Sequence, residues 1–271
     1  MGPWIMFTKH LEGWDLSQIM DGLKRAGVQG ADLCVRPGYP VTPENAATEL
    51  PAAARMFADQ GLSVPLITTP GDFVSADMDY AESLFAACAE AGVKLVKLGY
   101  WHMDADGYWP TLSRCRQRLE GFAKLAEKTG VKPVVHNHSG STMGLNSCAM
   151  MHIMEGFDPS LVGVFADVGH LSMVGEPYPM AFSIVRGYLS AVAFKDLKRK
   201  RNADGNWGVE VLPMGLGVGN FPQVMQVLTQ MNYQGPISFH CEYGTMPPES
   251  IVHQCNIDTR YIQGILDKLG Q

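Results

Sequence analysis

The sequence predicts a single-domain (β/α)8 barrel of the α/β class over residues 1–271, and three observations carry that prediction. Strand-like and helix-like segments alternate along the whole chain, eight of each, which implies right-handed βαβ crossovers and a parallel sheet. The length of 271 residues suits one closed barrel, a fold of about 250 residues. No GxGxxG follows the first apolar run, which argues against the strongest competitor, a Rossmann-like open sheet.

The elements follow in order. An apolar strand over residues 4–8 precedes a helix over 15–26, where Leu16, Ile19, Met20 and Leu23 recur at helical spacing. A strand over 30–35, a helix over 43–60 with proline at its start and a strand over 62–68 come next. A helix over 77–91 is stopped by Gly92, a strand covers 94–99, and a helix over 112–129 is stopped by Gly130. The second half reads as strands over 132–137, 162–167, 191–196 and 236–242, with helices over 146–155, 179–188, 222–231 and 249–269. The longest irregular stretch, 198–219, contains NADGNWG and GLGVG and is expected as a flexible loop over the barrel mouth. Its glycines could alternatively approach a phosphate through backbone N–H groups.

The bulk composition narrows the classes. With 46% hydrophobic and 18% charged residues the chain can bury a sizeable core, and disorder is not expected. The net charge of −6 argues against a nucleic-acid partner, and the one dense basic run, KDLKRKR, reads as a solvated loop. The six cysteines show no CxxC spacing and read as reduced thiols. No window approaches about 18 consecutive apolar residues and the first ten residues lack a signal-peptide pattern, so a soluble cytoplasmic protein with no membrane partner is expected.

Barrel chemistry gathers at the C-terminal strand ends, and six of the eight histidines fall there: His10, His102, His136, His138, His170 and His240. In VVHNHSG, His136 and His138 share one strand face, which suits metal binding or proton transfer, while Asn137 points away or orients a loop. Asp167 and His170 lie in FADVGHL, and His240 and Glu242 share parity in ISFHCEY. Such a rim could assemble an oxygen-and-nitrogen site for Mn, Co, Zn or Mg. Lys97 and Lys195 add amines able to act as base, clamp or Schiff-base nucleophile. Tyr100, Trp101, Tyr108 and Trp109 could wall a sugar ring, and Arg36 could bind a carboxylate or phosphate.

The segments GVQGADLCVRPG, VKLVKLGYW, VVHNHSG, VGVFADVGHL, AFKDL, LPMGLGVGNFPQV and YQGPISFHCEY appear in an order that resembles the sugar phosphate isomerases and epimerases of the xylose isomerase-like TIM barrels. That group also includes inosose dehydratases and apurinic-site endonucleases. The resemblance implies a divalent metal held by Glu, Asp, His and Glu at the ends of strands five to eight. Those positions fall here at His136, Asp167, Ala193 and His240, with Glu242 two residues further on, so one ligand is kept, two become histidine and one is lost. His170 matches the family's DxxH histidine and Lys195 the lysine of its HxKD pattern.

The resemblance implies proton abstraction beside a carbonyl on a sugar or keto-sugar, with His136 or His240 as base, Asp167, Glu242 and His170 holding an ion or hydroxyl, and Lys195 stabilising an oxyanion. Lys97, Trp101 and His138 are expected at the substrate. The same first step supports β-elimination, so a keto-sugar lyase or dehydratase stands beside the isomerase or epimerase. A non-catalytic sugar-binding barrel, a metal-dependent phosphodiesterase and a Schiff-base aldolase are the remaining readings. A homo-oligomer is possible.

Overall fold

The computed structural model describes residues 1–270. Its parallel strands are β1 (Trp4–Phe7), β2 (Gly30–Cys34), β3 (Ser63–Thr68), β4 (Leu95–Lys97), β5 (Lys132–His136), β6 (Gly163–Asp167) and β7 (Leu189–Phe194). After the antiparallel pair β8 (Asp196–Arg201) and β9 (Trp207–Leu212), β10 (Ile237–Phe239) sits between β7 and β1 and closes the barrel. The outer layer consists of α1 (Leu16–Ala26), α2 (Ala46–Asp59), α3 (Ala81–Glu90), α4 (Tyr108–Thr129), α5 (Ser147–Met154), α6 (Val168–Met173), α7 (Tyr178–Val185), α8 (Phe221–Gln230) and α9 (Pro248–Leu269). None of the described helices is long and apolar enough to cross a membrane.

Local chemistry sets these boundaries. At α1 the Asp15 carboxylate accepts from the Gln18 N–H at 2.8 Å while the Gln18 side chain accepts from the Asp15 N–H at 2.9 Å, and Gly27 at φ 78° ends the helix. Before α2 the Asn45 side chain accepts from the Thr42 N–H at 2.7 Å and donates to Pro40 O at 3.2 Å. Asn45 thus organises a turn, so the helix begins at Ala46 rather than at Pro43.

Two further expectations are corrected. Helix α4 starts at Tyr108, which moves Tyr108 and Trp109 into its first turn. There Trp109 is 67% exposed and stacks on His152, and it does not line the cavity that Tyr100 faces. The stretch read as a flexible loop is instead the hairpin β8–β9, turned through Asn202 to Asn206 with Gly205 at φ 80°. Its basic residues are engaged locally: Lys198 and Lys200 lie 3.4 and 3.7 Å from Glu210, and the Arg201 guanidinium sits 4.5 Å over the Trp207 ring.

The GLGVG glycines are neither free nor directed at a phosphate. The N–H groups of Gly215, Gly217 and Gly219 donate to the Asp196 carboxylate at 2.9, 2.8 and 2.9 Å. This is a backbone nest filled by the chain's own anion. Glycine is required at 217, because a Cβ there would lie 2.2 Å from Asp196 Oδ1. The nest fixes the root of the hairpin one residue beyond Lys195.

Candidate active site

Alternation along a strand sends every second side chain into the barrel. The lower interior is an apolar plug of Ile5, Leu66, Leu95, Val134, Phe165, Ala191 and Ala193. Two residues further along the same strands stand Phe7, Thr68, Lys97, His136, Asp167 and Lys195. The polar layer therefore rests directly on the apolar one, in a desolvated setting where charges interact strongly.

Asp167 is the hub of that layer. Its Oδ1 accepts from the His170 N–H at 3.0 Å, capping α6. Its backbone N–H donates to Asn137 Oδ1 at 2.6 Å, and Asn137 Nδ2 donates to Asp167 O at 3.3 Å, so Asn137 clamps β5 to β6. Around Asp167 Oδ2 lie His136 Nε2 and Lys195 Nζ, both at 3.4 Å, His240 Nδ1 at 3.9 Å and His170 Nε2 at 4.0 Å. Burial by itself would raise the Asp167 carboxyl, but Lys195, His170 and His136 outweigh it and hold the group well below the usual carboxylate range.

Lys195 is the matching cation. Its Nζ lies 2.6 Å from Glu242 Oε2 and 3.3 Å from His170 Nε2. Burial opposes its charge, yet Asp167 and Glu242 prevail and raise the ammonium above the ordinary lysine value. The second Glu242 oxygen pairs with Lys9 at 2.6 Å, and His10 approaches the same oxygen at 4.0 Å. Burial pushes the His136 imidazole down to about 3 and drives His170 well below its usual value, so both rings are neutral near pH 7.

Asp32, on β2, belongs to this cluster although it was not among the expected site residues. Its carboxylate accepts from Thr68 Oγ1 at 2.6 Å and Ser238 Oγ at 2.9 Å, and its Oδ2 lies 3.4 Å from His240 Nε2. The available signal was a carboxylate at an inward position of the otherwise uncharged strand GADLC. His240 thus stands between Asp32 and Asp167, parallel to the His136 ring at 5.7 Å.

The other expected residues separate into two groups. His138 and His170 pack against each other with ring centroids 3.8 Å apart, and Ser139 Oγ bridges to His170 Nδ1 at 2.8 Å. Arg36 and Lys97 line the same cavity of about 150 Å³ as His138, Lys195, His240 and Glu242. Trp101, by contrast, turns into the core: it is buried, and its indole N–H donates to Val74 O at 2.9 Å. Its expected role as a wall for the substrate is corrected, because that polar handle is satisfied behind the strand ends. Tyr100 alone of the four aromatics faces the cavity, with its hydroxyl 3.3 Å from His136 Nδ1. His102 is exposed and meets Ser141 at 3.3 Å, outside the cluster.

A divalent ion is implied by the family pattern, and the donor set fits one. Ligand atoms of His136, Asp167 and His240 lie within 4.8 Å of one another. His136 Nε2 and Asp167 Oδ2 are buried with no hydrogen-bond partner, as atoms shaped for an ion would be. Glu242 does not join that group, since both of its oxygens are taken by ammonium groups. The position in register with Asp167 on the next strand is Ala193, part of the apolar plug, and the strand contributes the Lys195 ammonium two residues later.

A closed parallel barrel with a buried imidazole, carboxylate and ammonium cluster at its strand ends has the architecture of a barrel with a small-molecule site at its mouth. A family model described as xylose isomerase-like TIM barrel matches residues 20–256, and the chain belongs to that family. An inosose dehydratase from Halalkalibacterium halodurans is 24% identical over 253 residues, covering 85% of this chain and 81% of that protein. Among solved structures, a 3-keto-D-glucoside 4-epimerase from E. coli aligns with a TM-score of 0.75 at 14% identity, over 97% of this chain and 100% of that one. An L-ribulose 3-epimerase aligns with a TM-score of 0.76 at 15% identity, over 99% and 95% of the two chains. At such identities the structural likeness speaks to the fold.

Proposed function

We propose that this protein is an enzyme that removes the proton from the carbon beside a carbonyl in a sugar or keto-sugar and returns a proton to the other face of that carbon or to its neighbour, as an epimerase or isomerase. One observation carries the reading: the Lys195 ammonium, fixed between Asp167 at 3.4 Å and Glu242 at 2.6 Å, shares a cavity with the His240 imidazole. The ammonium supplies a hydrogen-bond donor for the carbonyl oxygen as it becomes an enolate. His240 is placed to accept the carbon-bound proton. Asp32, 3.4 Å from its Nε2, would stabilise the imidazolium that forms.

The bond changes are simple. The C–H bond breaks, its electron pair forms the C=C bond of the enediolate, and the carbonyl electrons move to the oxygen facing Lys195. Reprotonation of that carbon from its other face restores the carbonyl and gives an epimer; transfer of the hydroxyl proton from the first carbon's oxygen to the enolate oxygen, with reprotonation of the neighbouring carbon, gives an isomer. His136, Asp167 and His240 would hold a divalent ion, which when bound supplies Lewis-acid polarisation of the same oxygen; the His240 lone pair would then be committed to the ion, so His240 serves as the base in the ion-free site.

A lyase outcome has specific support of its own. The inosose dehydratase relative aligns over 85% of this chain, and the Lys195–His170 contact at 3.3 Å offers a proton route to a departing hydroxyl. Product analysis separates the two. Incubation with 2-keto and 3-keto sugars followed by NMR yields an epimer or isomer in one case and an unsaturated product absorbing in the ultraviolet in the other. Lys195→Met is expected to lower either rate by about 10²- to 10⁴-fold. Binding without any product across the panel would leave a sugar-binding barrel as the better description.

A further inference from the structure

The cavity wall opposite Lys195 carries two cations that nothing in the proton-transfer chemistry uses. Lys97 ends β4 and is 2% exposed, yet its Nζ has no hydrogen-bond partner and lies 3.7 Å over the face of the Tyr100 ring. Arg36 follows β2, donates its Nε–H to Thr69 O at 2.9 Å, and makes no ion pair among the described residues. Both face the small cavity of about 150 Å³. The one carboxylate lining that cavity, Glu242, is already neutralised by Lys195 and Lys9 at 2.6 Å each. Asp32, the next carboxylate, accepts from Thr68 and Ser238 and lies 3.4 Å from His240; its charge favours the Lys97 ammonium but makes no ion pair with it.

Resting on the functional reading above, we infer that Arg36 and Lys97 form a subsite for a compact oxyanion, so that the substrate is an anionic keto-sugar bearing a carboxylate or a phosphate. An unpaired buried amine is costly in the free protein unless a ligand completes it. Burial, and next the Arg36 charge, push the Lys97 amine down to about 7 against the smaller opposing pull of Asp32 and Glu242, neither of which contacts it. With Nε committed to Thr69, the Arg36 Nη atoms remain for a forked contact with a planar carboxylate or a phosphate face. β2 and β4 flank β3, the strand opposite β7, which leads into Lys195. The anionic end would therefore be held away from the carbonyl that meets Lys195, and charge at one end would position the reacting carbons at the other.

The experiment compares three keto-sugars of one carbon skeleton, neutral, carboxylate-bearing and phosphorylated, by calorimetric titration of the full-length protein. At least one anionic form is expected to bind on the order of ten- to a hundredfold more tightly than the neutral one. In Arg36→Gln and in Lys97→Met that ratio should fall toward one, each variant being checked for native circular dichroism, so that loss of one fold leaves the other to decide. A preference for the carboxylate or for the phosphate identifies which oxyanion the site takes. Equal affinities for neutral and anionic forms, or a ratio unchanged in both variants, would overturn the subsite. Solvent-proton exchange into the neutral sugar with no anion preference would discard this inference alone. Selective anion binding with no exchange would instead remove the enzymatic reading and retain the subsite.

Discussion

At the scale of single residues, Lys97 and Lys195 are two buried lysines with opposite fates. Lys195 has Asp167 and Glu242 beside it and its ammonium is stabilised, while Lys97 lies over the Tyr100 ring with no ion-pair partner and its charge is disfavoured by burial and by Arg36. Lys195→Met should destabilise the fold by about 3–5 kcal/mol, because two buried carboxylates lose their shared cation. Lys97→Met should stabilise it by about 1–3 kcal/mol. The sign with pH follows from a lysine held below its ordinary 10.5 at about 7: between those values the unfolded chain binds the proton and the folded protein does not. Wild-type stability therefore gains from Lys97 as pH rises through that window. The advantage of Lys97→Met should be largest at and below pH 7 and shrink toward pH 10.5, which urea denaturation at several pH values will measure. An advantage independent of pH would mean that Lys97 has a counter-ion in solution.

At the scale of elements, the hairpin and its glycine nest hold the strand that carries Lys195. Asp196 gathers three glycine N–H groups within 2.9 Å, so Asp196→Ala leaves three donors without their acceptor. Hydrogen exchange at Gly215, Gly217 and Gly219 should accelerate in that variant, with a stability loss of about 1.5–3 kcal/mol for each charge-assisted bond not replaced by water. Gly217→Ala should act in the same direction, since its methyl would meet Asp196 Oδ1 at 2.2 Å. Unchanged protection of the three amides in Asp196→Ala would show that the nest does not depend on its anion. This hairpin was hidden in the sequence because the outer part of β8, Lys198 to Arg201, is exposed on both faces, so the apolar alternation that marks a strand is absent from KDLKRKR. The signals it did carry are the Asp-Gly pair at its turn and the alternation of Trp207, Val209 and Val211 in β9.

At the scale of the whole molecule, the alternation of strands and helices made the barrel legible, because each βαβ unit must bury the same kinds of face. Five of the cluster residues, His136, Asp167, His170, Lys195 and His240, were legible for a related reason: strand ends of one barrel converge on one mouth. Asp32 was not, since a lone carboxylate inside a strand carries no motif and its partners Thr68 and Ser238 come from other strands. Trp101 was misplaced because the sequence does not record which way the chain turns after Lys97; β4 ends there and the indole goes to Val74. The balance of charges around the cavity could be read only once Glu242 was seen bridging Lys9 and Lys195.

The most direct measurement is the incorporation of solvent deuterium into a keto-sugar or keto-sugar acid in heavy water, followed by NMR for wild type and for Lys195→Met. Deuterium should appear at the carbon next to the carbonyl with the wild-type protein and be lost, by about two orders of magnitude or more, in the variant. Absence of exchange across neutral and anionic substrates alike, or exchange that persists undiminished without Lys195, would contradict proton abstraction at this cluster.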